Sequence, residues 1–210
     1  AYSLHIGIGA DSSVVYHPQV QSDGDASFRR WTAAQQEEFI GLANDFYKTT
    51  RFHQWYESTE PVRLQAQETF YKHISQQIDY DWFRRFFGET CTSTRQITLS
   101  LLNGQGNYGC STRLKDGTLR MNPIIGCSAC DSVGCPIYRP EIVPLVIHEF
   151  CHAYCNPFVD EHMDDMRRSA ERLFQLNETN LRARAYGNAT IMLYESLVRS
   201  CVLNYQMEHT

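Results

Sequence analysis

The segment that most constrains this chain is a pair of histidines four residues apart inside an apolar stretch. Residues 142–147 have the sequence Ile-Val-Pro-Leu-Val-Ile. They are followed by His148 and Glu149 and then, after two further residues, by His152. In an α-helix, residues four apart lie on adjacent turns of one face. Burying such polar groups in an apolar helix is costly unless a partner satisfies them. The pattern therefore predicts a helix whose two imidazoles share one partner.

A zinc ion is the partner that suits this spacing. Imidazole nitrogens at positions i and i+4 can both lie about 2.0–2.1 Å from one tetrahedral Zn²⁺. Glu149 lies too far round the helix to ligate, but it is placed to act as general base on a water held by the metal. We predict Zn²⁺ bound by His148 and His152, with Glu149 catalytic. The alternative is two surface or core histidines beside a solvated glutamate.

A third ligand has to come from elsewhere in the chain. The metzincin pattern requires a histidine six residues after His152, where this chain has Phe158. Glu195 is the only charge in residues 189–198, which predict a helix that is apolar on most of its circumference. An unpaired carboxylate there is expensive, so we predict Glu195 as the third ligand. An ion pair with Arg199, four residues on, or a buried hydrogen bond are the alternatives.

Other acidic and histidine residues follow the motif in one charged stretch. That stretch is more simply a solvated loop or the start of a helix. Its members are Asp160, Glu161, His162, Asp164 and Asp165.

The first half of the chain predicts helices. Thr32 and Gln35 have the spacing of a capping box, and apolar residues follow at helical intervals, which we interpret as core. A second helix is expected to start near residues 59–61, and Asp81 is expected to cap a short third helix that ends at Gly88.

Strand patterns are confined to two regions. Leu4, Ile6 and Ile8 form a short apolar alternation, and polar turn residues that include 21–25 follow, which predicts a strand and then a loop. Residues 97–102 alternate again, and Asp116-Gly117 predicts a hairpin turn between two short strands. These segments predict a small antiparallel or mixed sheet.

The last third of the chain returns to helix, with polar breaks expected at residues 157–165 and 186–188. Pro157 follows Asn156 and is expected to end the helix that carries the histidines. No internal repeat or Pro/Ser linker interrupts the chain. We therefore predict one α+β domain over residues 1–210, mostly helical, with the small sheet packed beside the histidine helix.

Eight cysteines is a high and even number for 210 residues. It favours a secreted or periplasmic protein with disulfide bonds, although buried free thiols are the alternative. Cys110, Cys127, Cys130 and Cys135 could instead form a second, structural zinc site. Disulfides are preferred because a second Cys-x-x-Cys or histidine pair at suitable spacing is missing.

Charge and hydropathy exclude two classes of partner. A net charge of -5 at pH 7 gives no basic surface of the kind that neutralises phosphates, so nucleic acid is not expected. No apolar run reaches the length needed to cross a bilayer. Residues 1–10 lack the basic start of a signal peptide.

Two motifs resemble known metallopeptidases. A histidine helix followed by a glutamate on a later helix resembles the gluzincin class. Residues 148–157 (HEFCHAYCNP) and 194–199 (YESLVR) look more closely like the bacterial secreted domain-of-unknown-function family 4932, with its HEFxHxxxNP and ExxVR patterns. The resemblance implies a zincin-like fold in which an edge strand, here 96–102 or 108–114, aligns an extended peptide.

These features together predict a zinc-dependent hydrolase that cleaves a peptide or protein substrate. Tyr154, Tyr186 and Tyr194 are candidate hydrogen-bond donors to the transition state. Two alternatives stay open: a secreted, non-enzymatic binding module with a structural zinc, and a zinc hydrolase of non-peptide amides or esters.

Overall fold

A computed structural model describes residues 5–17, 31–89 and 92–209 of the chain. The chain is α+β and mostly helical with small sheets, which confirms the predicted class. It divides into two compact units. The first comprises Ala1–Gln77 and Thr90–Pro140, and the second comprises Ile78–Glu89 and Glu141–Thr210. Whether the chain folds as one domain over residues 1–210 stays a prediction.

Three helices belong to the first unit: α1 (Ala33–Thr49), α2 (Phe52–Ser58) and α3 (Glu60–His73). The predicted capping box is confirmed. The Gln35 amide donates to Oγ1 of Thr32 at 3.3 Å, and the Thr32 amide donates to Oε1 of Gln35 at 2.9 Å. The short helix α2 was not predicted, because its separation from α1 depends on a left-handed residue between them, Arg51 at φ 52°.

The apolar stripe of α1 does not form a packed core. No residue of α1 is buried, and Leu42 and Phe46 are 62% and 56% exposed. Together with β1 (Ile6–Ile8), β2 (Val14–Tyr16) and α2, this stripe lines an open apolar groove of about 950 Å³. The prediction that these residues are core was therefore wrong for α1.

The strands of the first unit are all short. β1 pairs with β2 antiparallel, so the predicted alternation at Ile6 and Ile8 is confirmed, whereas Leu4 and residues 21–25 lie outside the described residues. The remaining described strands are β3 (Ser93–Arg95), β4 (Thr98–Ser100), β5 (Ser111–Arg113), β6 (Leu119–Met121) and β7 (Ile124–Gly126). Three of them form a mixed sheet in the order β3-β6-β5, and β4 and β7 form a parallel pair.

The predicted hairpin turn joins β5 to β6. Gly117 has φ 87°, a conformation that L-residues with side chains rarely adopt, and Oδ1 of Asp116 accepts the amide of Thr118 at 2.9 Å. A second glycine is required by close packing, because a Cβ on Gly126 would lie 2.6 Å from the carbonyl oxygen of Gly106.

The second unit contains four helices: α4 (Tyr80–Phe87), α5 (Val143–Leu176), α6 (Glu178–Ala183) and α7 (Ala189–Glu208). The predicted short helix ending at Gly88 is confirmed as α4, and Gly88 closes it in the left-handed conformation. Its cap is Asp79, however, and the prediction of Asp81 was wrong. Oδ1 of Asp79 accepts hydrogen bonds from the amides of Asp81 and Trp82 at 3.0 and 3.1 Å. An N-cap side chain accepts from amides of the first turn, so the capping residue has to precede the helix, whereas Asp81 lies inside it.

The helix that carries the histidines does not end at Pro157, so this prediction was wrong. α5 continues through Pro157 for 34 residues in all, and the charged stretch 160–165 is helical as well. Proline removes one helical hydrogen bond, but the packing of the second half of α5 against α7 offsets that cost. The buried residues that pack together are Val159, Met163, Ala170 and Phe174 of α5 with Ala189 and Met192 of α7.

None of the helices in the described ranges is long and apolar enough to span a membrane.

The cap of α4 also ties α4 to the end of α7. Oδ2 of Asp79 accepts from Arg85 at 2.7 Å and lies 3.2 Å from Nε2 of His209, while the Asp79 amide donates to the Tyr205 hydroxyl at 2.8 Å. The hydrogen bond from Arg85 is the main cause that lowers the pKa of Asp79 to about 2. The ionised carboxylate therefore stabilises the folded state.

We expect Asp79→Ala to lower the free energy of unfolding at pH 7 by about 0.5–2 kcal/mol, the usual cost of losing such a cap. Because the folded pKa lies below the ordinary 3.8, the contribution of the charge is complete above that value and is lost as the pH falls towards 2. Urea unfolding across this range measures the difference. Asp81→Ala is the control and should change stability by less than about 0.5 kcal/mol, because its side chain is 74% exposed. A pH-independent cost for Asp79→Ala would contradict this account.

Candidate metal centre

α5 presents the two histidines from a firmly packed first half. Pro144 occupies the first turn, where its missing amide hydrogen costs no helical bond. Val146, Ile147 and Phe150 are 0% exposed, which anchors this part of the helix. His148 and His152 retain 15% and 12% side-chain exposure. The helix thus places both imidazoles where water can still reach them.

Glu195 reaches the same point from α7, which packs against α5. The Nε2 atoms of His148 and His152 lie 3.2 Å apart. Oε2 of Glu195 is 3.4 Å from Nε2 of His148, and Oε1 is 3.4 Å from Nε2 of His152. Three potential ligands therefore converge, with all their ligand atoms within 4.8 Å of one another. Among the described residues, no other group of three or more such side chains meets this criterion.

These separations fit a single small cation. A tetrahedral ion with bonds of about 2.0–2.1 Å needs ligand atoms about 3.3–3.4 Å apart. The distance between the two Nε2 atoms, and the distance from each of them to one of the two oxygens of Glu195, are close to this value. Without a cation, two imidazole nitrogens at this distance need a proton between them. The three side chains can hold a metal ion.

Asn156 sets the proton on His152. Oδ1 of Asn156 lies 3.0 Å from Nδ1 of His152. A carboxamide oxygen only accepts, so Nδ1 donates to it and Nε2 keeps its lone pair. Such a partner behind a metal-binding histidine fixes the ring and its tautomer. Sequence reasoning missed this role, although Asn156 follows His152 at the i+4 spacing that brings two side chains together on a helix.

Burial and charge favour the protonation states that bind metals. Burial is the main cause that lowers the pKa of His152, and the neighbouring His148 lowers it further. The pKa of Glu195 is also lowered, mainly by its hydrogen bond with His148 and further by the nearby charge of Arg199. Near neutral pH, His152 is therefore neutral and Glu195 ionised.

The ion pair proposed as the alternative role of Glu195 exists as well. Nη2 of Arg199 lies 3.8 Å from Oε2 of Glu195, and Nε of Arg199 donates to the Tyr186 hydroxyl at 3.2 Å. The arginine side chain is 63% exposed, so this contact is weak on its own. One carboxylate therefore faces both the arginine and the two histidines.

The other two tyrosine candidates have different surroundings. Tyr154 stacks on Phe87, with ring centroids 4.1 Å apart. The Tyr194 hydroxyl donates to Asp160. Tyr186 is linked to Glu195 indirectly, because its hydroxyl accepts a hydrogen bond from Arg199, which in turn pairs with Glu195.

The charged residues that follow the motif do not join the metal group. Asp164 pairs with Arg167 at 2.9 Å, and His162 stacks on Phe158 with ring centroids 4.4 Å apart. Glu149, the predicted base, is 6% exposed on α5, directly after His148.

The seven described cysteines are free thiols, and Cys91 lies outside the described residues. Cys127 and Cys130 approach to 3.8 Å, whereas the thiol of Cys135 contacts Oε1 of Gln65. Among the described residues these thiols do not converge with Cys110 as a second metal group. The prediction of disulfide bonds stays a prediction.

A family model described as a domain of unknown function (DUF4932) matches residues 15–208. Neither the curated proteins nor the solved structures include a match to this chain.

We expect Glu195→Gln to abolish tight metal binding, because a neutral amide oxygen replaces the charged ligand while the shape is kept. Titration of the metal-free protein with Zn²⁺ in competition with a chromogenic chelator measures the affinity. Asp164→Asn removes an acidic side chain that is 94% exposed on α5 and serves as the control. Equal affinities of the two variants would rule out Glu195 as a ligand.

Asn156→Ala should weaken metal binding by about 10- to 100-fold, the usual effect of removing the partner of a metal-binding histidine. The protein should still fold, because Asn156 is only half-buried. The same chelator competition provides the measurement, with circular dichroism as the check on folding. Unchanged affinity in a folded variant would show that this hydrogen bond does not orient His152.

Proposed function

We propose that this chain, which belongs to the family of domains of unknown function DUF4932, is a zinc-dependent hydrolase whose metal is held by His148, His152 and Glu195. The observation that carries the proposal is the convergence of two imidazoles and one carboxylate within 4.8 Å, with Glu149 beside the first imidazole in the helix.

The donor set supports zinc as the metal. Two imidazoles and one carboxylate suit this borderline ion, and the Nε2 atoms of the two imidazoles lie 3.2 Å apart, close to the spacing that its bond lengths require. Structural zinc sites usually have four protein ligands, whereas catalytic sites have three and an open position. The group of three among the described residues therefore supports a catalytic site over a structural one.

Bound zinc would supply a water of lowered pKa and a Lewis acid for a carbonyl oxygen. In this proposal, the Glu149 carboxylate accepts the proton of the attacking water and delivers it to the leaving nitrogen. Asn156 holds His152 in the tautomer that binds metal, and Arg199 forms an ion pair with Glu195. Tyr186, linked to Glu195 through Arg199, is a candidate hydrogen-bond donor to the transition state.

A peptide or protein is the substrate that we propose, with a fold of the zincin type. The order of a histidine helix and a later glutamate helix supports it, because gluzincin-type peptidases share this order. In folds of this type an edge strand aligns the extended peptide by backbone hydrogen bonds. We further propose a secreted or periplasmic location, on the basis of the cysteine content.

We expect Glu149→Gln to bind zinc with unchanged affinity and to lose hydrolysis by at least about 10²-fold, because the amide cannot accept a proton. Activity is measured on quenched fluorescent peptides and an unfolded protein, beside a panel of simple amides and esters. Glu161→Gln, an exposed position of the same helix, is the matched control and should keep full activity.

The outcomes of this comparison separate the alternatives. Turnover of the simple amides or esters alone would replace the peptidase by another zinc hydrolase. If the wild-type protein binds zinc but cleaves none of the substrates, the chain is a binding module with a structural metal, and the catalytic proposal fails.

A further inference from the structure

Three sulfur atoms meet in the buried interface between α5 and α7. Cys151 and Cys155 lie one turn apart on α5 and are 0% and 2% exposed, and Cys201 on α7 is 6% exposed. The Sγ atoms of Cys155 and Cys201 are 3.7 Å apart, near van der Waals contact. Cys151 also interacts with Cys201. Isolated buried thiols fill space as small hydrophobic groups, but here sulfurs of two helices face each other.

The three cysteines lie on the same two helices as the candidate metal ligands. Cys155 follows His152 by three residues on α5, and Cys201 follows Glu195 by six residues on α7. The helices that supply the ligands are thus the helices that supply the sulfurs. A covalent link at this point would hold α5 and α7 together close to the metal ligands.

We propose that Cys155 and Cys201 form a disulfide bond that joins α5 to α7 beside the metal centre. The bond requires the two sulfurs to approach from 3.7 Å to about 2.05 Å. Cys151 remains a thiol one turn away. The disulfide depends neither on a bound metal nor on hydrolysis.

The oxidant is another disulfide, either a small molecule or an oxidoreductase. The Cys155 thiolate attacks it to form a mixed disulfide and releases one thiol. The Cys201 thiolate then attacks the Cys155 sulfur and releases the second thiol. Two cysteine thiols are oxidised, one disulfide is reduced, and the two protons pass to the released thiols. Because both sulfurs are buried in the folded chain, the exchange takes place before the helices close.

Disulfide mapping of the full chain tests the proposal directly. The reduced, unfolded chain is refolded with oxidised and reduced glutathione, the remaining thiols are alkylated, and the protein is digested without reduction. Chymotrypsin cleaves after Tyr154 and so separates Cys151 from Cys155. We expect a Cys155–Cys201 linked peptide and an alkylated Cys151. Alkylation of both Cys155 and Cys201, or a Cys151–Cys201 link, would overturn the proposal.

Thermal unfolding of matched variants gives an independent measure. Oxidation should raise the Tm of the wild-type chain by about 5–15 °C relative to the reduced chain, as expected for closing a loop of this length. Cys151→Ala should keep this difference, and Cys155→Ala should lose it. Retention of the difference in Cys155→Ala would contradict the proposed pair. The link between Cys127 and Cys130, if formed, appears in a different peptide.

Zinc affinity of the reduced chain, measured in parallel, keeps this inference separate from the proposed function. If zinc binds tightly to the reduced chain while no Cys155–Cys201 link forms, only the disulfide fails. If the link forms while zinc does not bind, only the metal centre fails.

Discussion

The packing of α5 against α7 is the interaction on which the candidate metal centre depends. α5 alone provides two imidazoles that contact each other, and one of them contacts Asn156. α7 alone would carry a half-buried carboxylate with an exposed arginine as its partner. Each helix has a polar cluster that is expensive to bury in isolation. Together, the apolar contacts of the long helices bring these clusters to within 3.4 Å, and the polar groups satisfy one another.

Electrostatics then determines what this meeting point can bind. Burial keeps His152 neutral, while the hydrogen bond with His148 and the charge of Arg199 help to keep Glu195 ionised. The result is a negative charge next to two imidazole nitrogens, which is an arrangement that a divalent cation can bind. The arginine does not compete for this role, because it approaches Glu195 from solvent at 3.8 Å and stays 63% exposed. A surface ion pair and a metal ligand are therefore compatible functions of one glutamate.

Local patterns were reliable where the interaction that decides the structure lies within a few residues. The capping box at Thr32, the turn at Asp116-Gly117 and the left-handed stop at Gly88 are all of this kind. Pro157 is the counterexample. Proline disfavours a helix locally, yet α5 continues because its second half buries a row of apolar residues against α7. The apolar stripe of α1 is a second counterexample. Its residues predicted a packed core, but they line an open groove.

The sequence by itself determined that His148 and His152 share one face of a helix, because the spacing of four residues is an intrinsic property of the α-helix. It also singled out Glu195, since one charge in an apolar helix needs a partner. Only the tertiary structure decided that this partner is the histidine pair, because 43 residues separate Glu195 from His152 and no local rule spans that distance. The same holds for the thiols, where the approach of Cys155 to Cys201 follows from helix packing alone. The periodicity of a helix is a local property that the sequence shows directly, whereas the contact between two helix faces depends on the packing of the whole interface.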